Sequence, residues 1–314
     1  MPDIITRASS INRALDQIGD KWCLLIIQEV FWGINSFNEM MEAMGVSRGV
    51  LSNRLQWLQE VGCLRRETES EGARRPRYHL TAKSIELYDA ALMAINWERK
   101  WFSNPELDRV ELVHSCGNSF VPEMRCQACD RLVLADEVTY APGPGATRDI
   151  REKKVRRRSS ISINAVPSQR ALYKNLINIV GDRWTANLVA LAFHRLARFD
   201  EFHRELPVAT NILSDRLKFL VDEGVFRQVP YQQRPVRHAY HLTDKGGDLF
   251  PWFLALLQWG DKWCDPQQNG KPMLLTHSVC GQPLHGEVRC SECRQPVRAH
   301  EVMFTRDGEE LQTA

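Results

Sequence analysis

The sequence has no long hydrophobic run. No apolar stretch reaches the roughly 18 residues that a membrane-crossing helix needs. The opening residues, Met-Pro-Asp-Ile-Ile-Thr-Arg, lack the apolar core of a secretory signal. A protein that neither enters a membrane nor is secreted is therefore expected, with a cytoplasmic location. Catalytic signatures are missing too: there is no glycine-rich phosphate loop, no Gly-x-Ser-x-Gly elbow and no His-Glu-x-x-His. No enzyme is expected. The chain is not short of apolar residues, at 43% hydrophobic against 25% charged, which excludes a disordered or collagen-like polymer. Its 314 residues leave room for two or three domains at roughly 100–200 residues each. Net charge is also small, at +2, but residues 148–158 (RDIREKKVRRR) carry seven basic and two acidic side chains. That run is +5, so the remaining chain is −3, and the whole-chain charge says little about partners.

What the chain does have is a copy of itself. A shift of 162 residues lays Gly19-Asp20-Lys21-Trp22 on Gly181-Asp182-Arg183-Trp184 and Leu51-Ser52-Asn53-Arg54-Leu55 on Leu213-Ser214-Asp215-Arg216-Leu217. It also lays Tyr78-His79-Leu80-Thr81 on Tyr240-His241-Leu242-Thr243, and Trp97 and Trp101 on Trp259 and Trp263. Further on the shift becomes 164 and lays Cys116, Cys126 and Cys129 on Cys280, Cys290 and Cys293. Each half is thus a long module followed by a short cysteine module.

Within a long module, Leu15, Ile18, Trp22, Leu25 and Ile26 recur at helical spacing, predicting one amphipathic helix over 12–30. Ser36 and Glu39 form a capping box for a second helix. Ser47 is placed to cap a third, whose core stripe is Leu51, Leu55 and Leu58, with Gly62 after its end. Residues 63–66 and 77–80 read as two strands, and Ile85, Leu87, Tyr88, Leu92, Ile95 and Trp97 as a last helix. Helix, helix, turn, helix and hairpin is the order of a winged helix, whose third helix enters the major groove. The fold class expected is mainly α with small β: two winged helix-turn-helix domains, each followed by a small zinc-ribbon-like module. The boundaries expected are a winged helix over 1–103, a ribbon over 104–141, a basic flexible linker over 142–165, a winged helix over 166–266, a ribbon over 267–304 and a tail over 305–314.

The run Leu-x-x-Ile-Gly-Asp-Lys-Trp, then Leu-Ser-x-Arg-Leu-x-x-Leu-x-x-x-Gly, Tyr-x-Leu-Thr and a helix bearing Trp97 resembles the HxlR-type, MarR-related winged-helix transcriptional regulators. The resemblance covers 12–102 and 174–264 and implies dimeric DNA binders. Many members carry a sensing cysteine near the N-terminus, where this chain has Ser9 and Ala171. An arginine that often precedes the family's Val-Leu-Ser is Gly49 and Asn211 here. The departures argue against thiol sensing of that kind and for altered base readout.

Opposite the leucine stripe of the third helix lie Ser47, Arg48, Gly49, Ser52, Asn53 and Gln56. Arginine suits guanine, asparagine and glutamine suit adenine, and serine suits phosphate. The second copy offers Ala209, Thr210, Asn211, Ser214, Asp215 and Lys218, where Asp215 opposes phosphate. A solvated polar face is the plain alternative for both. Arg54 and Arg216 border the core stripe and are expected to brace the fold or touch a phosphate. The first wing holds Arg74, Arg75 and Arg77, and the second Arg234, Arg237 and His238; such loops suit the backbone or a narrow minor groove. Arg156, Arg157 and Arg158 of the linker could follow the DNA as a basic arm or merely keep a tether soluble.

The tails read His114-x-Cys116-x9-Cys126-x2-Cys129 and His277-x2-Cys280-x9-Cys290-x2-Cys293. Zinc takes four tetrahedral ligands, commonly thiolates and imidazoles. Two structural zinc sites are expected, one closed by each tail, with His285 or Glu287 as substitutes for His277. Cysteines packed as small apolar residues are the alternative.

The reading that follows is a sequence-specific regulator on double-stranded DNA, nucleoid-associated through that binding. It would act as an intrachain pseudo-dimer or a homodimer, with no membrane partner and with room for a small-molecule effector between helices. Two alternatives stand beside it: a winged-helix and zinc-ribbon module that binds protein, and a metal- or thiol-responsive regulator switched through the cysteine tails.

Overall fold

The computed structural model of the chain describes residues 4–67, 76–151, 172–265 and 268–311. The first half runs β1 (Ile4–Arg7), α1 (Ser10–Ile18), α2 (Lys21–Phe31), α3 (Phe37–Met44), α4 (Arg48–Glu60), β2 (Leu64–Glu67), β3 (Arg77–Leu80), α5 (Ala82–Ile85) and α6 (Tyr88–Trp101). It continues with α7 (Pro105–Asp108), β4 (Val110–His114), β5 (Pro122–Cys126), β6 (Val138–Pro142) and β7 (Arg148–Arg151). The second half repeats it: α8 (Lys174–Val180), α9 (Arg183–Phe193), α10 (Phe199–Glu205), α11 (Thr210–Asp222), β8 (Phe226–Gln233), β9 (Val236–Leu242), α12 (Asp244–Gly247) and α13 (Phe250–Trp263). Its tail holds β10 (Met273–His277), β11 (Gln282–Pro283), β12 (Gly286–Cys290), β13 (Val302–Arg306) and β14 (Glu309–Leu311). Among the described residues no helix is long and apolar enough to cross a membrane.

Two winged helices are present, as the repeat implies. Ser36 caps α3 in a reciprocal box with Glu39, and Ser47 caps α4 by accepting from the Val50 amide. Leu51, Leu55 and Leu58 are buried, as are their counterparts Leu213, Leu217 and Leu220. The hairpins pair antiparallel, Leu64 opposite Leu80 and Phe226 opposite Leu242. The second wing is the longer, with strands of eight and seven residues.

The single helix expected over 12–30 is two helices. Asp20 takes an extended conformation and its carboxylate accepts from the Trp22 amide at 3.1 Å, which ends α1 and starts α2 afresh. Asp182 does the same before α9, accepting from Trp184 at 2.8 Å. The last helix is also split. Ile85 sits on the short α5 and is 46% exposed, so it is not core.

Each winged helix anchors one compact unit, and each unit draws on both halves of the chain. One gathers Met1–Leu15, Arg125–Arg157 and Asp182–Gly286; the other gathers Asp16–Met124, Arg158–Gly181 and Glu287–Ala314. In the first, Ser10 donates to the Asp261 carboxylate at 2.5 Å, and the backbone of Ser10 lies against Gly260 of α13 so closely that a Cβ there would meet the Ser10 carbonyl at 2.3 Å. In the second, the fully buried Glu98 of α6 accepts from the amides of Asn175 and Leu176, each at 3.2 Å, and from Asn175 Nδ2 at 2.6 Å. The leading helix of each half is thus seated on the long helix of the other half.

The linker expected over 142–165 is partly structured. Pro142 ends β6, and β7 pairs antiparallel with β1, Arg7 opposite Arg148. The Pro-Gly-Pro-Gly signal marks close backbone approach rather than slack. A Cβ on Gly143 would meet the Lys271 carbonyl at 2.2 Å and one on Gly145 the Gly270 carbonyl at 2.0 Å. Asp149 of the basic run forms an ion pair with Arg13 at 2.8 Å. Arg156, Arg157 and Arg158 lie outside the described residues. The expected tail over 305–314 is also structured in part, since β14 pairs with β13.

Candidate nucleic-acid surface and candidate metal centres

On α4 the side chains of Ser47, Arg48, Ser52, Asn53 and Gln56 are exposed, as is Gly49. On α11 the same holds for Thr210, Asn211, Ser214, Asp215 and Lys218. The leucine stripe turns inward and therefore fixes which face remains for solvent. Arg48 lies over the Phe37 ring at 5.6 Å, and Gln56 Nε2 donates to Glu60 at 3.0 Å.

Arg54 and Arg216 do brace the fold. Arg54 donates from Nε and Nη2 to both oxygens of Asp20, at 2.8 and 2.9 Å, and Arg216 donates to Asp182 at 2.8 Å. Asp20 therefore caps α2 and also holds α4, and Asp182 caps α9 and holds α11, which fixes the angle between the two helices of each pair.

Arg77 belongs to β3 and is half-buried, and its Nη1 donates to the Asn35 side chain at 2.8 Å. It stands at the base of the wing, on the strand expected over 77–80. Arg74 and Arg75 lie outside the described residues. In the second wing Arg234 and Arg237 are exposed, and Arg198 stacks over the exposed Tyr231 ring at 4.5 Å.

All eight expected metal-ligating side chains fall into two groups of four, but not as the tails were expected to divide them. His114 and Cys116 come together with Cys290 and Cys293, and Cys126 and Cys129 with His277 and Cys280. In each group the ligand atoms lie within 4.8 Å of one another. His114 Nδ1 faces Cys293 Sγ at 3.3 Å, and His277 Nδ1 faces Cys129 and Cys280 Sγ at 3.4 Å each. His285 and Glu287 are not in either group.

Strand pairing explains the exchange. β4 pairs with β13, placing His114 opposite Val302, and β6 pairs with β10, placing His277 opposite Val138. The two tails carry the same kinds of ligand in the same order, so local spacing could not have distinguished closure within a tail from closure between tails.

The groups suit a metal ion chemically. Both histidines are buried, at 4% and 0% exposure, and both aim Nδ1 at thiols. Nε2 of each is buried without a hydrogen bond; that of His277 has the Glu137 carboxylate at 3.6 Å. At one cysteine of each group, Cys116 and Cys280, backbone amides favour the thiolate. The Cys116 thiol is lowered to about 7, first by the Asn118 amide and then by the His114 ring. That of Cys280 is lowered to about 7, first by the Gln282 amide. Thiolate is the form that binds metal. Each group of three cysteines and one histidine could hold a metal ion.

The architecture defines a class: a tandem winged-helix protein with two cysteine–histidine clusters. The HxlR-like helix-turn-helix family model matches residues 17–106 and 179–268, and the chain belongs to that family, twice over. An uncharacterised HTH-type transcriptional regulator of Mycobacterium tuberculosis is 38% identical over 126 residues, 40% of this chain and 79% of that protein. The HTH-type transcriptional regulator YodB of Bacillus subtilis is 27% identical over 94 residues, 30% of this chain and 84% of that protein. Among solved structures, PA1607, described as a candidate transcription factor, is 35% identical, covers 44% of this chain and 92% of its own, and superposes with a TM-score of 0.37. The relatives are regulators rather than enzymes by their names, in keeping with the missing catalytic signatures.

Proposed function

We propose that the protein is a sequence-specific DNA-binding transcriptional regulator. Helices α4 and α11 enter the major groove, with Arg48, Asn53 and Gln56 of one and Asn211 and Lys218 of the other reading base edges. Ser47, Ser52, Thr210 and Ser214 contact phosphates, and the wings, through Arg74, Arg75, Arg234 and Arg237, follow the backbone or minor groove. The observation that carries this reading is the exposed polar face on each third helix, held to its domain by the Asp20–Arg54 and Asp182–Arg216 bonds. Under the 162-residue shift Asn53 corresponds to Asp215 and Gln56 to Lys218, so the two helices prefer different half-sites.

The two clusters hold structural zinc. Three thiolates and one imidazole are a common tetrahedral set for that ion, and a closed set supports folding rather than catalysis.

Selection of genomic fragments at ~150 mM salt, where non-specific phosphate binding is already weakened, tests the regulator reading. One asymmetric motif is the expected result. Arg48→Ala combined with Asn53→Ala should lower affinity for it by about 30-fold or more, at about 1–3 kcal/mol for each of the two base contacts. No enrichment by the folded, zinc-loaded protein would move the assignment to a protein-binding module, which the exposed carboxylate of Asp215 on α11 would suit better than it suits DNA.

A further inference from the structure

We infer that each metal ion joins one repeat to the other, so that two ions form two cross-repeat staples in a single chain. The inference rests on the zinc reading above and concerns which ligands share an ion.

In one group His114 and Cys116 come from the first tail and Cys290 and Cys293 from the second; in the other, Cys126 and Cys129 come from the first and His277 and Cys280 from the second. The backbone repeats the same division at each site. The Ser115 amide donates to the Glu301 carbonyl and the Ser278 amide to the Glu137 carbonyl, both at 2.8 Å. These two bonds are related by the 163- and 164-residue offsets of the repeat, with donor and acceptor from opposite tails each time. Near the first group the Val121 amide donates to Ser291 Oγ at 3.0 Å, and Arg294 pairs with Glu123 at 3.0 Å. Near the second, the Gln127 amide donates to the His285 carbonyl at 2.9 Å. Ligands, strand register and flanking bonds agree in both sites.

An ion held this way closes a very long loop, since Cys116 and Cys290 are separated by more than half the chain. Cross-linking distant positions removes chain entropy from the unfolded state, slowly but increasingly with loop length. An ion held within a tail would close only a short loop. The first copy has one residue fewer between histidine and first cysteine than the second. Both spacings serve equally, because the pair arrives as one corner of the site and the other tail supplies the opposite corner.

The test is metal stoichiometry of the full-length chain by elemental mass spectrometry, with paired variants. Wild type should carry two zinc ions. Cys116→Ser with Cys293→Ser removes two ligands from one cross-repeat site and should leave one ion. Cys116→Ser with Cys126→Ser touches both sites and should leave none. The reverse pattern, none for the first pair and one for the second, would overturn the inference while preserving the zinc reading. A wild-type chain without metal would overturn both.

A second measurement needs no variant and so does not depend on their folding. Withdrawing about one ion with a chelator, alkylating briefly and fragmenting the partly labelled intact chains in the mass spectrometer shows which cysteines stay protected together. Cross-repeat staples protect Cys116, Cys290 and Cys293 as a set, or Cys126, Cys129 and Cys280. Protection of Cys116, Cys126 and Cys129 together would refute them.

Discussion

Replacing Glu98 by alanine removes a carboxylate that receives the start of α8. Glu98 is fully buried, and its oxygens accept from two backbone amides and one side-chain amide. Truncation leaves the Asn175 and Leu176 amides, and Asn175 Nδ2, without that acceptor in a place that water does not reach. A helix cap is typically worth ~1 kcal/mol, and a hydrogen bond to a charged group about 1.5–3. Part of that is offset, because the variant no longer buries a charge. A net loss of about 3 kcal/mol is expected for Glu98→Ala. Glu98→Gln, which keeps an acceptor oxygen, should lose about half of that. For a unit of this size, ~3 kcal/mol lowers the thermal midpoint by roughly 6–12 °C. Calorimetry and urea unfolding, each with zinc present, would read it. A Glu98→Ala protein within about 0.5 kcal/mol of wild type would show that the α8 cap is not held by Glu98, and the argument for a seated helix exchange would fail with it.

Gly260→Ala should destabilise by about 1–3 kcal/mol, since the new Cβ meets the Ser10 backbone carbonyl rather than a movable side chain; an unchanged unfolding midpoint would refute the close approach. Arg54→Ala should cost about 2 kcal/mol by freeing Asp20 while the selected DNA motif stays the same, and an equally stable variant with a changed motif would make Arg54 a base reader. Burial, and then the charge of Arg7, push His194 down to about 4, below its unfolded value of about 6.5, so the unfolded chain takes up this proton first and stability falls as pH drops through that window. The His194 share of the loss is about 2 kcal/mol at pH 5, and His194→Phe should flatten the decline between pH 7 and 5 measured in urea. Chelation should raise amide exchange in β4, β6, β10 and β13 before it does so in α2 or α9, since the metal is expected to stabilise the tails locally; simultaneous exchange everywhere would contradict that.

Much of the winged helix was legible in the residues because its signals are local. Ser36 with Glu39, Ser47 before α4 and the Leu51–Leu55–Leu58 stripe each act within a turn or two of helix, and each appears in its expected place. The break at Gly19-Asp20 was obscured because an apolar stripe can run through a cap without losing its spacing. The Pro-Gly-Pro-Gly stretch misled for a different reason. Glycine permits slack and also permits close approach, and only the partner at Gly270 and Lys271 distinguishes them. The eight metal ligands were identifiable by type and spacing, but their grouping depends on contacts 148 or more residues apart, which spacing within a tail does not encode.

The two copies share a fold but not their seats. Positions 98 and 260 are equivalent under the 162-residue shift, yet one is glutamate and the other glycine. Helix α13 accepts Ser10 because Gly260 has no side chain, and Asp261 takes the Ser10 hydroxyl. Helix α6 accepts α8 because Glu98 receives its first amides. Seated on α6 in the same manner, α1 would drive the Ser10 backbone into the Glu98 Cβ. Seated on α13, α8 would find a glycine where its acceptor should be. Each mismatch costs on the order of 1–3 kcal/mol, and the costs act together against pairing of like with like. The exchange of leading helices, α1 onto α13 and α8 onto α6, is thus matched residue by residue to unlike repeats.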